Sequence, residues 1–137
     1  MRRYRVLFVC IGNACRSQMA EAFARAYGSD IVIAESAGLW PAARIPLVTV
    51  DLMVEKNIGL EGCSSKGLDR TGTDFHLIVN MSGEPFPELV SAPVREWNVE
   101  DPICLPAERQ REIRDQIEAL VRDLLAELGA TPPAGDL

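Results

Sequence analysis

Apolar residues along this chain fall into short runs and one long stripe, separated by polar stretches. Tyr4-Arg5-Val6-Leu7-Phe8-Val9 is a nearly continuous apolar run, which predicts a strand buried on both faces. Ser17 to Tyr27 has helical composition and is followed by Gly28, which predicts a helix closed by glycine at C′. Asp30-Ile31-Val32-Ile33-Ala34-Glu35 predicts a second strand. Pro46 to Lys56 predicts a second helix with proline near its first turn. Phe75-His76-Leu77-Ile78-Val79-Asn80 predicts a third strand, and Val94 to Val99 a weaker fourth. From Ala107 to Leu128, the residues Ile113, Ile117, Leu120, Val121, Leu124, Leu125 and Leu128 form one stripe at helical spacing. Charged residues such as Glu108, Arg109, Arg111 and Glu112 make the solvated face of that helix, and Gly129 ends it.

Strands alternating with helices imply a parallel sheet covered on both faces. No internal repeat or long linker divides the chain. Residues 1–129 are expected to form one domain, with 130–137 a loose tail. In such sheets ligands bind beyond the carboxyl ends of the strands, often where the first strand turns into the first helix. Residues 10–17 occupy that place.

Charge narrows the function classes. Net charge is −6, and it is uneven. Residues 1–70 carry nine Lys/Arg against seven Asp/Glu, whereas residues 71–137 carry five against thirteen. The chain lacks the broad basic footprint of a nucleic-acid binder. It has no apolar run long enough for a membrane span. The apolar stretch after Met1-Arg2-Arg3 stops at Gly12-Asn13 without a small-residue cleavage site, so it is read as a strand and not a secretory signal. The expected compartment is the cytoplasm, where Cys10, Cys15, Cys63 and Cys104 stay reduced. None of these cysteines sits in a CxxC pair and the only histidine is His76, so no structural metal is expected.

Cys10-Ile11-Gly12-Asn13-Ala14-Cys15-Arg16-Ser17 carries the candidate chemistry. A short loop entering a helix can turn several backbone N–H groups inward, making a nest for an anion. Gly12 lets the backbone approach that anion, and Asn13 tolerates unusual dihedrals. Arg16 offers a planar fork that matches two oxyanion oxygens. Positive surroundings favour a thiolate at Cys10. Ser17 is placed to cap the helix or to hydrogen-bond the Cys10 sulfur. Cys-x5-Arg alone also describes a buried thiol and a surface arginine. Between a strand and a helix, with Gly-Asn inside and Ser after, it favours nucleophilic attack on a phosphate-like oxyanion.

The segment Val6 to Ser17 resembles the signature of the low-molecular-weight protein tyrosine phosphatase superfamily, which includes the thioredoxin-coupled arsenate reductases. Gln18-Met19-Ala20-Glu21 is similar to the reductase branch, because phosphatases usually have proline after the serine. Glu35-Ser36-Ala37-Gly38 matches the segment after strand two, and Gly59-Leu60-Glu61 the end of helix two. The resemblance covers nearly the whole chain. It implies an α/β fold, a four-stranded parallel sheet flanked by helices, with the phosphate-binding loop between strand one and helix one. It further implies Cys10 as nucleophile and Arg16 as clamp. Ile11, Gly12, Asn13, Ala14, Cys15 and Ser17 would be the substrate-binding loop, and no cofactor would be used. The Asp of an Asp-Pro pair, here Asp101, would be the general acid, with Glu100 the weaker candidate.

Phosphatases of this kind place aromatic residues after Asp-Pro, where this chain has Ile103-Cys104. Trp40 is a candidate pocket wall, with ordinary packing the alternative. The coupled reductases carry two further cysteines after strand three, whereas Met81 to Leu89 has none. Arsenate reduction here would therefore use an external small thiol or a redoxin. Some relatives hold potassium beside the loop. Asn13, Glu21 and Ser36 match that set, while Lys66 falls near the expected Asp, as an ammonium in place of the ion or as a surface residue. Cys15 is read either as a reversible disulfide partner protecting Cys10 or as packing. Cys63 and Cys104 are read as structural, with Cys104 near the site, and His76 as a hydrogen-bonded strand residue. Three functions are expected in order: phosphomonoester hydrolysis through a phospho-Cys10 intermediate, arsenate reduction, and non-catalytic oxyanion binding.

Overall fold

The structure is a computed structural model describing residues 2–88, 90–131 and 133. Its strands are β1 (Tyr4–Cys10), β2 (Val32–Gly38), β3 (Leu77–Asn80) and β4 (Val94–Glu96), and its helices α1 (Arg16–Gly28), α2 (Leu47–Val54) and α3 (Ala107–Gly129). The strands form one parallel sheet in the order β2-β1-β3-β4. The connection from β1 leads to one side of the sheet, and the next crosses back to the other. The carboxyl end of β1 is thus the point where strand order reverses, the place where such sheets bind ligands. The β1–β2 register runs from Tyr4↔Val32 to Cys10↔Gly38, so the end of β2 lies beside the start of the loop.

The alternation of β1 side chains divides the core. Val6, Phe8 and Cys10 face a large cluster that includes Met19 and Phe23 of α1, Met53 of α2, and Ile113, Ile117 and Val121 of α3. Leu7, Val9, Ala37 and Ile78 face the other way. That second face is covered by Leu39, Leu68, Phe75, Phe86 and Ala92, which belong to connecting segments and a 3-10 turn, Leu68–Arg70. The three helices therefore gather on one face.

Helix ends differ from the sequence expectation for identifiable reasons. Gly28 remains inside α1, followed by Ser29 in right-handed geometry. A Cβ at Gly28 would drive into Leu125 of α3, so the glycine serves close helix–helix approach and not a left-handed cap. α2 closes at Asn57, φ 61°, with Ile58 N donating to Met53 O and Asn57 N to Val54 O, upstream of Gly59-Leu60-Glu61. β2 starts two residues later than expected, because Ile31 N still donates to Gly28 O in the turn leaving α1. It continues through Ser36-Ala37-Gly38. His76 is held as expected, its Nδ1 accepting from Arg5 N at 2.9 Å. Of the tail, Tyr4 Oη donates to Thr131 O, while 132 and 134–137 lie outside the described residues. Among the described residues, no helix is long and apolar enough to cross a membrane.

Candidate active site

β1 ends at Cys10, and the loop to Arg16 follows with its carbonyls fastened outward. Leu39 N donates to Cys10 O at 3.0 Å, Trp40 N to Ile11 O at 2.8 Å, and Ala42 N to Gly12 O at 2.9 Å. Ser65 Oγ and Gln18 Nε2 both donate to Asn13 O. Every peptide bond is trans among the described residues, so C=O and N–H of one unit point in opposite directions. Tethering four consecutive carbonyls outside turns the N–H groups of Ile11, Gly12, Asn13 and Ala14 inward. This arrangement can hold an anion, and the segment after β2 enforces it. The left-handed residue is Asn13, φ 51°, while Gly12 has ordinary room for a Cβ.

Gly38 is the tightest of these supports. A Cβ there would lie 2.6 Å from Asn13 N and 2.7 Å from Gly12 C, both backbone atoms that cannot swing aside. Gly38→Ala is expected to cost about 1–3 kcal/mol by overpacking and to spread the loop. Chemical denaturation with phosphate titration will show lowered stability together with weakened binding. Wild-type phosphate affinity in the variant would refute this account of the loop.

Cys10 is buried, and the backbone N–H and the hydroxyl of Ser17 both meet its sulfur. Ser17 N lies 3.4 Å from Cys10 Sγ, and Ser17 Oγ 2.9 Å. Ser17 does not cap the helix; Cys15 occupies the N-cap position, without a side-chain hydrogen bond there. The first-turn amides are thus not taken by a capping side chain, and that of Ser17 points at the Cys10 sulfur. Cys15 Sγ lies 3.2 Å from Thr49 Oγ1, and burial pushes its thiol up, which the Thr49 contact partly offsets. A raised thiol stays protonated at neutral pH, which makes Cys15 a poor nucleophile.

Arg16 is buried and braced from two strand ends. Its Nη1 donates to Met81 O after β3 at 2.6 Å and to Val99 O after β4 at 3.0 Å. Its Nη2 lies 3.5 Å from Asp101 Oδ2. Asp101 Oδ1 accepts from Ile103 N, which leaves Oδ2 facing Arg16, and Gln110 Nε2 ties Pro102 O to α3. Glu100 is turned away, paired with Arg109 at 2.6 Å. Of the two adjacent acids, only Asp101 faces the cavity.

One cavity of about 290 Å³ joins these groups. Cys10, Ile11, Gly12, Ala14, Cys15 and Arg16 line it from the loop. Ala42, Pro46 and Val48 line one wall, and Asp101, Ile103, Cys104 and Gln110 the other. Asn13 and Ser17 stand behind the loop and brace it. Trp40 does not belong to the lining; its side chain is 65% exposed, and its contribution is the backbone bond to Ile11. The carbonyls of Met81 and Val99, the amides of Leu39, Trp40 and Ala42, and Ser65 carry no sequence mark of their roles.

Asn13, Glu21 and Ser36 meet behind the loop, but they do not fit a potassium ion. Asn13 Oδ1 already accepts from Gln18 Nε2 and Lys66 N, and Ser36 Oγ donates to Glu21. The Lys66 ammonium lies 3.9 Å from Glu21 Oε1, and Arg25 Nη2 lies 2.6 Å from Glu21 Oε2. The positive charge a bound ion would supply is part of the chain.

Comparison with known proteins agrees with this geometry. Residues 5–133 match the family described as low molecular weight phosphotyrosine protein phosphatase. A glutaredoxin arsenate reductase of Synechocystis sp. is 32% identical, covering 90% of this chain and 98% of that protein. A protein-arginine-phosphatase of Geobacillus stearothermophilus is 33% identical, covering 90% and 95%. A solved arsenate reductase in the phosphate-binding state superposes with a TM-score of 0.83 at 31% identity, covering 91% of this chain and 98% of that one.

Proposed function

Since the chain belongs to the low molecular weight phosphotyrosine protein phosphatase family, we propose that it hydrolyses phosphomonoesters through a phospho-Cys10 intermediate. The observation that carries this reading is the shared cavity, with Cys10 at the floor of the amide nest and Asp101 on the opposite wall. The inward amides and Arg16 hold the three non-bridging oxygens as charge spreads over them. Cys10 thiolate attacks phosphorus, the bond to the leaving oxygen breaks, and Asp101 delivers its proton to that oxygen. Water then attacks phosphorus and gives a proton to Asp101. Phosphate departs and the thiolate returns. Ala42, Pro46, Val48 and Ile103 make an apolar mouth suited to the carbon side of the ester. We place the chain in the cytoplasm, because a working thiolate needs reducing surroundings.

Rapid quench with an aryl phosphate is expected to trap the mass of one phosphoryl group on the peptide carrying Cys10. Asp101→Asn should lower kcat about 100-fold, more for alkyl than for activated aryl esters, and should remove the alkaline limb of the kcat profile. A variant with wild-type rates and both limbs intact would unseat Asp101. Tight phosphate binding without turnover of any ester would favour simple oxyanion binding.

A second reading is favoured by Cys15 and Cys104, which line the same cavity as Cys10. Arsenate fits the same nest. Cys10 attacks arsenic and water leaves. An external small thiol then attacks the Cys10 sulfur; the sulfur–arsenic pair stays on arsenic, which departs as arsenite. A second thiol, or a redoxin, reduces the resulting disulfide. Arsenite formation only in the presence of thiol donors would establish this activity.

A further inference from the structure

The segment between β4 and α3 carries Asp101, and side chains of α3 hold it. Arg109 pairs with Glu100 at 2.6 Å, Gln116 Nε2 donates to Asn98 O at 3.3 Å, and Gln110 Nε2 donates to Pro102 O at 3.2 Å. A carbonyl only accepts, so the Gln110 amide presents its nitrogen to Pro102. The Arg109 and Gln116 contacts are exposed, and exposed pairs contribute little. The Gln110 contact is buried, next to Asp101 and on the wall of the cavity itself. Within the segment, Leu105 N donates to the same Pro102 O at 3.1 Å, closing a four-residue turn whose third residue is Cys104, φ 61°. Such a position ordinarily calls for glycine. A left-handed cysteine persists where its surroundings fix the backbone. Gln110 does this on both sides of the turn, since its backbone N donates to Pro106 O at 3.0 Å.

We infer that Gln110 is a positioning residue for Asp101: by holding Pro102 O it fixes where the acid stands over the leaving oxygen. The inference rests on Asp101 being the general acid. The other contacts around Asp101 do not fix that place. The bonds from Ile103 N to Asp101 Oδ1 and from Leu105 N to Pro102 O lie within the turn and move with it. The Arg16 contact at 3.5 Å engages the group that must also clamp the anion, so a bound substrate competes for it. Gln110 belongs instead to α3, whose Ile113 and Ile117 are buried in the same core as Phe8 and Cys10 of β1. Nucleophile and acid thus take their spacing from one packed core, through β1 on one side and Gln110 on the other.

The test is kcat/KM, which reports the step that breaks the ester bond, across nitrophenyl phosphate, phenyl phosphate and an alkyl phosphate. Gln110→Leu keeps the bulk of the side chain and removes the donor. It is expected to lower kcat/KM about tenfold for the alkyl ester and less for the nitrophenyl ester, because a good leaving group needs its proton least. Phosphate affinity should stay within a few-fold of wild type. Added to Asp101→Asn, Gln110→Leu should cost nothing further, since the proton it helps to place is gone. Arg109→Gln, which cuts only the exposed pair, should keep the wild-type leaving-group dependence. Should Gln110→Leu fail to fold, Gln110→Met takes its place in the cycle. A lowered melting temperature with the same loss for every ester would make Gln110 merely structural and overturn the proposal. So would additive effects of Gln110→Leu and Asp101→Asn. An Asp101→Asn enzyme with the wild-type leaving-group dependence would instead remove Asp101 as the acid, and the proposal with it.

Discussion

Replacing Cys10 by serine is expected to remove aryl phosphate turnover, by about 10⁴-fold or more in kcat. The substitution exchanges a sulfur that ionises readily for a hydroxyl that does not, at a position where Ser17 N and Ser17 Oγ already converge. The hydroxyl fits, since it is smaller and accepts the same donors. The amides of residues 11–14 are held by carbonyl tethers that do not involve the Cys10 side chain. Phosphate affinity should therefore stay within a few-fold of wild type while turnover disappears. Steady-state hydrolysis measured beside calorimetric phosphate titration separates the two. Residual turnover within tenfold of wild type would place the nucleophile elsewhere, and loss of phosphate binding would show the loop collapsing without its sulfur.

Arg16→Lys is expected to lower kcat/KM about 10³-fold, although the charge is kept. The guanidinium performs three tasks that one ammonium cannot share. It donates to Met81 O and Val99 O, it faces Asp101 Oδ2, and it presents a planar fork toward the nest. A lysine reaching the anion leaves the two buried carbonyls without their donor; a lysine reaching the carbonyls leaves the anion. An unmade buried hydrogen bond costs about 1–3 kcal/mol, so thermal stability should fall as well. Parallel kinetics, melting curves and phosphate binding check this. A variant with lowered kcat/KM but unchanged melting would mean that the carbonyl contacts are incidental. Near-wild-type kinetics would mean that the nest amides alone stabilise the transferring group.

The reactions proposed for this chain share their first step, and they diverge in what meets the Cys10 adduct. Water leads to hydrolysis, with Asp101 exchanging one proton twice. A thiol leads to reduction, with two electrons drawn from external thiols. Relatives bearing names for both chemistries fit the same frame. In the proposed reactions the nest would take a tetrahedral oxyanion whatever its central atom. The apolar mouth formed by Ala42, Pro46, Val48 and Ile103 would meet the leaving group alone.

What the sequence by itself determined was local. The apolar run of β1, the stripe of α3, and a nucleophile, glycine, asparagine, arginine and serine packed into eight residues are legible because their physics acts over one or two turns of chain. The parallel sheet followed from alternation, since parallel neighbours need crossovers between them. What only the tertiary structure decided was which distant groups complete each local one. Gly28 reads as a helix stop, yet it is a contact surface for Leu125, ninety-seven residues away. Trp40 reads as a pocket wall, yet its backbone amide does the work. Nothing local marks the Met81 and Val99 carbonyls as the seat of Arg16, and Lys66 as a charge beside Glu21 was one of two readings, reached only through the family resemblance. Backbone groups look alike in every sequence, and a carbonyl becomes a ligand only when the sheet order brings the ends of β1, β3 and β4 together. The candidate nucleophile was therefore written in the loop, and its surroundings were decided by the fold around it.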